Sequence, residues 1–96
     1  MEMGKKQNNE SFLEKLAETL DLPGDVVAGL PRMEITGCRA LMMENHRGIL
    51  QYSTEEIDIG GSQAVVKVFG EHLILRAMNG RELLIVGQIF KIEFVY

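Results

Sequence analysis

Between Gln63 and Tyr96 four apolar runs are separated by Gly70-Glu71, Asn79-Gly80 and Gly87-Gln88, three dipeptides with the composition of two-residue β-turns. Asn and Gly tolerate the positive φ that a type I′ turn needs at both central positions, and a type II′ turn places Gly first. The spacing predicts a four-stranded antiparallel meander. Under two-residue turns Met78 lies opposite Arg81, Val86 opposite Ile89 and Phe69 opposite His72, and opposed residues share a face. One face then carries Val66, Val68, Leu73, Leu75, Leu84, Val86 and Ile89. The other carries Val65, Phe69, Ile74, Leu83, Ile85, Phe90, Ile92 and Phe94, interrupted by Lys67, Arg76 and Arg81. Both faces are apolar, so both need covering. The earlier strands and an N-terminal helix supply one cover each; alternatively part of the second face is an oligomer or partner interface.

A chain of 96 residues makes one modest core without room for a deep cleft of its own. Its formal net charge of −4 argues against nucleic acid and against a polybasic attachment to anionic lipid. One cysteine makes no intrachain disulfide, which points to a reducing, cytoplasmic setting. No apolar run approaches the ~20 residues of a membrane span, and no signal peptide is visible, so a soluble chain is expected.

Residues 1–10 are polar and aperiodic and read as a disordered tail. Residues 11–31 read as a helix and connector. Ser11 followed by Glu14 has the capping-box pattern, and Phe12, Leu13, Leu16, Ala17 and Leu20 form one stripe on a 3.6-residue period. Leu22-Pro23-Gly24 ends the helix, because a residue before proline leaves the α region. Asp25 caps a short further turn through Ala28. The β domain occupies 32–96. Met33–Glu44 and Ile49–Ser53 flank the loop Asn45-His46-Arg47-Gly48, whose closing glycine suits a hairpin, and Glu56–Ile59 alternates strictly. About eight short strands result, which predicts an all-β roll, barrel or sandwich with an N-terminal amphipathic helix. The echo between the settings of Gly70 and Gly87 leaves a short β-solenoid as the alternative.

Candidate chemistry is sparse. Cys38, His46 and His72 have the composition of a thiol site, but Cys38 sits at a Gly-Cys-Arg junction with no helix N-terminus to lower its pKa. It is expected as a small buried or half-buried residue without catalytic work. The same three residues lack the close paired spacing of a metal site. Glu56 and Asp58 turn to one side of their strand and read as a solvated acidic face. No glycine-rich loop precedes a helix, so no nucleotide or other cofactor is expected. Asn45, His46, Arg47 and Gly48 form an exposed, donor-rich loop, read as a partner contact that the fold does not need.

Leu30–Gly37 (LPRMEITG), Glu44–Leu50 (ENHRGIL) and Glu82–Ile89 (ELLIVGQI) with Ile92-Glu93-Phe94 resemble, in that order, the YabP/YqfC family of sporulation proteins, the YqfC branch in particular. The resemblance spans Leu16 to Phe94. It implies a small non-enzymatic protein of endospore formers, made in the mother cell around the forespore and tied to a YqfD-type membrane partner. It supplies no catalytic residues. Two functions of different class follow. One is an assembly or adaptor module, a homo-oligomer with a dimer favoured, docking through Phe69, Ile74, Leu83, Ile85, Phe90, Ile92 and Phe94 or through the helix stripe Phe12, Leu16 and Leu20. The other is a small-barrel ligand-binding protein or enzyme that uses Cys38 and His46.

Overall fold

The computed structural model describes residues 9–96. Residues 1–8 of the expected tail lie outside the described residues. The chain divides into two compact units at the Leu30/Pro31 junction.

The first unit holds α1 (Asn9–Leu20) and α2 (Gly24–Gly29). Helix α1 begins before Ser11, which therefore stands inside the first turn and not at the N-cap. It ends one residue ahead of the Leu-Pro pair. Asp21 adopts a left-handed φ of 59°, its N–H donates to Glu18 O (3.2 Å), and the Leu22 N–H donates to Ala17 O (3.1 Å). This pair of backward bonds satisfies the last carbonyls as a Schellman motif does. The N-cap of α2 is Pro23, where the sequence suggests Asp25.

The second unit is one six-stranded antiparallel sheet: β1 (Arg32–Thr36), β2 (Ala40–Glu44), β3 (Ile49–Tyr52), β4 (Glu56–Gly60), β5 (Val65–Met78) and β6 (Glu82–Val95), in the order β1-β2-β6-β5-β4-β3. The all-β class is as the sequence predicts, but the count of about eight short strands is not. β5 and β6 are 14 residues each and form a single long hairpin. Every pairing is antiparallel, which excludes the parallel solenoid.

Of the three predicted turns only the middle one reverses the chain. There Asn79 donates its N–H to Glu82 O (2.8 Å), and its side-chain Oδ1 accepts from the N–H groups of Arg81 (2.8 Å) and Glu82 (2.7 Å). Asn79 thus serves as the first residue of the turn and a side-chain cap. The register becomes Met78 opposite Leu83, in place of Met78 opposite Arg81.

Gly70 and Gly87 mark a waist where the long hairpin bends. The register slips on either side of it, His72 takes a φ of 56°, and Gly87 takes 145°. A Cβ on Gly70 would enter the Gln88 carbonyl oxygen, and one on Gly87 would lie 2.6 Å from the His72 oxygen. Glycine is needed here for close backbone approach, not for chain reversal. Partners change at the same place. The N–H groups of Gly70 and Leu73 donate to Glu55 O and Thr54 O, while those of Gly87 and Ile89 donate to Arg39 O and Cys38 O. Beyond the waist, β4 and β3 line the stem of the hairpin, and β2 and β1 line its tip.

Leu41 and Met43 of β2, Ile57 and Ile59 of β4, and Val66, Val68, Leu73, Leu83, Ile85 and Ile89 of the hairpin form one buried cluster. β2 and β4 are not neighbours in the sheet, so their shared core shows the two halves of the bent sheet folding toward each other. The bulges also explain why both predicted faces looked apolar. Each register slip exchanges inward and outward positions, so a single core draws from both face sets.

Candidate interaction surface

The loop Asn45–Gly48 does not join a hairpin. β2 pairs with β1 and β6 while β3 pairs with β4, so the loop carries the chain from the tip half to the stem half. Its backbone is fastened at both ends. Asn45 N–H donates to Arg81 O (2.7 Å), Arg47 N–H to Gly60 O (2.8 Å), and Gly60 N–H to Gly48 O (2.8 Å). His46 is only 7% exposed. The Gly48 N–H donates to its Nδ1 (2.9 Å), which leaves Nε2 as the protonated nitrogen, donating to Asn79 O at 2.8 Å. This corrects the expectation of an exposed loop that the fold does not need. His46 clamps the crossover to the hairpin tip, and within the loop Arg47 is the side chain left exposed. A histidine two residues before a glycine is the local signal for such a bond, since Nδ1 can reach the i+2 amide, but the crossover that it clamps is set by the strand order.

Cys38 is exposed, not buried, in the turn between β1 and β2. The five residues of β2, about 17 Å at strand rise, separate it from His46, so the two are not brought together. Among the described residues no group of three His, Cys, Asp or Glu side chains is placed to hold a metal.

Glu56 and Asp58 do share a side, but that side is not solvated at Asp58, which is 5% exposed. Lys67 of β5 reaches Asp58 Oδ2 at 3.1 Å and Glu56 Oε2 at 3.4 Å. Its ammonium is held above the usual lysine value by the Asp58 hydrogen bond first and the Glu56 bond second. Asp58 Oδ1 has no hydrogen-bond partner among the described residues.

The proposed interface set is divided by the bulges. Leu83 and Ile85 are buried in the core and Ile92 packs against it, so these three hold the unit together from inside. Phe94 stands opposite the core residue Val66 and marks the core margin, half exposed. Phe69 is partly covered, with the Lys91 ammonium 4.8 Å from its ring centroid. Ile74 and Phe90 remain as outward apolar groups, 50% and 61% exposed. In the helical unit Phe12 and Leu20 are exposed while Leu16 is partly buried. No described helix is long and apolar enough to cross a membrane.

A Bacillus subtilis (strain 168) protein named uncharacterized protein YqfC is 30% identical over 93 residues, covering 97% of this chain and 98% of that protein. The chain belongs to the YqfC family. No family model matches this chain, and no solved structure matches it either.

Proposed function

We propose that this YqfC-family chain is a non-enzymatic sporulation protein, an assembly or adaptor module of the mother cell that works at the forespore surface. In this reading it self-associates, with a dimer as the basic form, and recruits a YqfD-type membrane protein. Attachment to the membrane is then the partner's task. The observation that carries the reading is Phe90, an aromatic ring 61% exposed on the sheet surface beside the waist, with Ile74 half exposed on the preceding strand. An exposed phenylalanine leaves on the order of 1–2 kcal/mol of burial unrealised, which a protein contact recovers.

The rival reading, catalysis or ligand binding by Cys38 and His46, asks for side chains that the fold keeps at opposite ends of β2. It also asks for a His46 ring whose two nitrogens already serve Gly48 and Asn79. The test pairs two substitutions in sporulating cells. Cys38→Ser should preserve spore yield and capture of the membrane partner by the tagged chain, whereas Phe90→Asp should lose self-association, and with it capture, while remaining folded. Loss of spores with Cys38→Ser at normal protein level would overturn the adaptor reading.

A further inference from the structure

At the tip of the hairpin a groove of about 230 Å³ lies between β2, β6 and β5, its apolar lining (Met42, Ala77, Met78, Leu83 and Leu84) bordered by the polar Asn79 and Glu82. The register sets its surroundings. Glu34, Met42, Leu84 and Ala77 are opposed in turn across β1, β2, β6 and β5, and in the next row Arg32, Glu44 and Glu82 are opposed across β1, β2 and β6. Opposed residues share a face, so Glu44 and Glu82 stand side by side with Glu34 nearby. One guanidinium serves this group, Arg32, 3.8 Å from Glu44 and half exposed. Glu82 has no ion-pair partner among the described residues. Like charges directly opposite each other destabilise a sheet, and a cation delivered from outside would offset that cost.

We propose that this groove binds a basic amphipathic segment of a partner protein. An aliphatic side chain enters between Met42, Ala77 and Leu84 while a neighbouring Lys or Arg meets Glu82 and Glu44. The volume falls below the roughly 300–1,000 Å³ of small-molecule pockets and suits one or two side chains. A second copy using the same patch isologously would set carboxylates against carboxylates, so charge selects a different protein. The proposal rests on the adaptor reading and specifies the chemistry of its partner.

The test titrates the ¹⁵N-labelled full chain with an acetylated, amidated amphipathic peptide of Leu and Lys, and with the same peptide carrying Glu for Lys. Amide shifts are expected at Met42, Ala77, Glu82 and Leu84 with the Lys peptide alone. Affinity should fall at least tenfold in Glu44→Gln/Glu82→Gln. Because Glu44 also pairs with Arg32, Ala77→Arg is the second variant: Ala77 is exposed, and a cation there should abolish binding in a folded protein. Shifts centred elsewhere, equal binding of the Glu peptide, or unchanged affinity in both variants would overturn the groove. So would the same shifts appearing on concentration alone, which would make the occupant a second copy. Partner capture in cells that survives Ala77→Arg would also overturn the groove, yet leave the adaptor reading standing. A parent chain that captures no membrane partner defeats the adaptor reading, and the peptide titration then decides the groove independently.

Discussion

Replacing Gly70 by Ala should nearly unfold the β unit. The added methyl group would occupy the space of the Gln88 carbonyl oxygen and also lie 3.0 Å from the Gln88 carbonyl carbon and 3.1 Å from Leu73 Cδ2. Backbone on a paired strand cannot turn aside as a flexible side chain can, so β5 and β6 must separate at the waist. Overpacking of this kind costs about 1–3 kcal/mol. Separation also strains the bonds from the Gly70 and Leu73 N–H groups to Glu55 O and Thr54 O, and a buried backbone group left without a partner costs about 1–3 kcal/mol more. A total on the order of 2–6 kcal/mol is a large part of the roughly 5–15 kcal/mol that holds a small domain folded. Gly80→Ala is the control, since no atom lies within 4 Å of its added methyl group, and it should stay within about 1 kcal/mol of the parent. Urea titrations followed by far-UV circular dichroism and tyrosine fluorescence measure both. A Gly70→Ala midpoint matching that of Gly80→Ala would refute the close-approach argument and return Gly70 to the role of an ordinary strand residue.

Two other perturbations separate clamp from surface. His46→Ala removes a buried ring and strands the Gly48 N–H and the Asn79 carbonyl, so it should lower stability by about 2–3 kcal/mol, whereas Arg47→Ala should change it by less than about 0.5 kcal/mol; equal urea midpoints for the two would show that the crossover is not clamped. Lys67 has its folded-state pKa raised above the ordinary 10.5, so the stability it contributes is fully present below that value and is lost as pH rises through the higher folded value; melting temperatures followed from mildly to strongly alkaline pH should fall more steeply for the parent than for Lys67→Met, and parallel profiles would contradict the ion-pair assignment.

The sequence made the hairpin at Asn79-Gly80 legible, along with the all-β class and the presence of an N-terminal helix, because these rest on local signals: turn chemistry and periodicity. It misled at Gly70 and Gly87 because a glycine before a polar residue has the same composition in a turn and at a bulge. Which one forms depends on partners far along the chain, here the backbone carbonyls of Cys38, Arg39, Thr54 and Glu55. That error passed into the face assignment. A two-residue pattern carried through register slips mixes Leu83 and Ile85, which are core, and Ile92, which packs against the core, with Phe90 and Ile74, which are outward. The loop at His46 stands out in the sequence for its donors, but its role as a crossover depends on the strand order, which no local pattern encodes. The groove at the tip was invisible for the same reason, since Met42, Leu84 and Ala77 meet only through the register of three strands.

The claim that the exposed sheet surface is an interface is tested most directly by mass in solution. Light scattering on the purified chain across a wide concentration range should give twice the single-chain mass, and Phe90→Asp should give the single-chain mass with an unchanged urea midpoint. A parent that stays at the single-chain mass at the highest concentration, or a Phe90→Asp protein that remains paired, would contradict it.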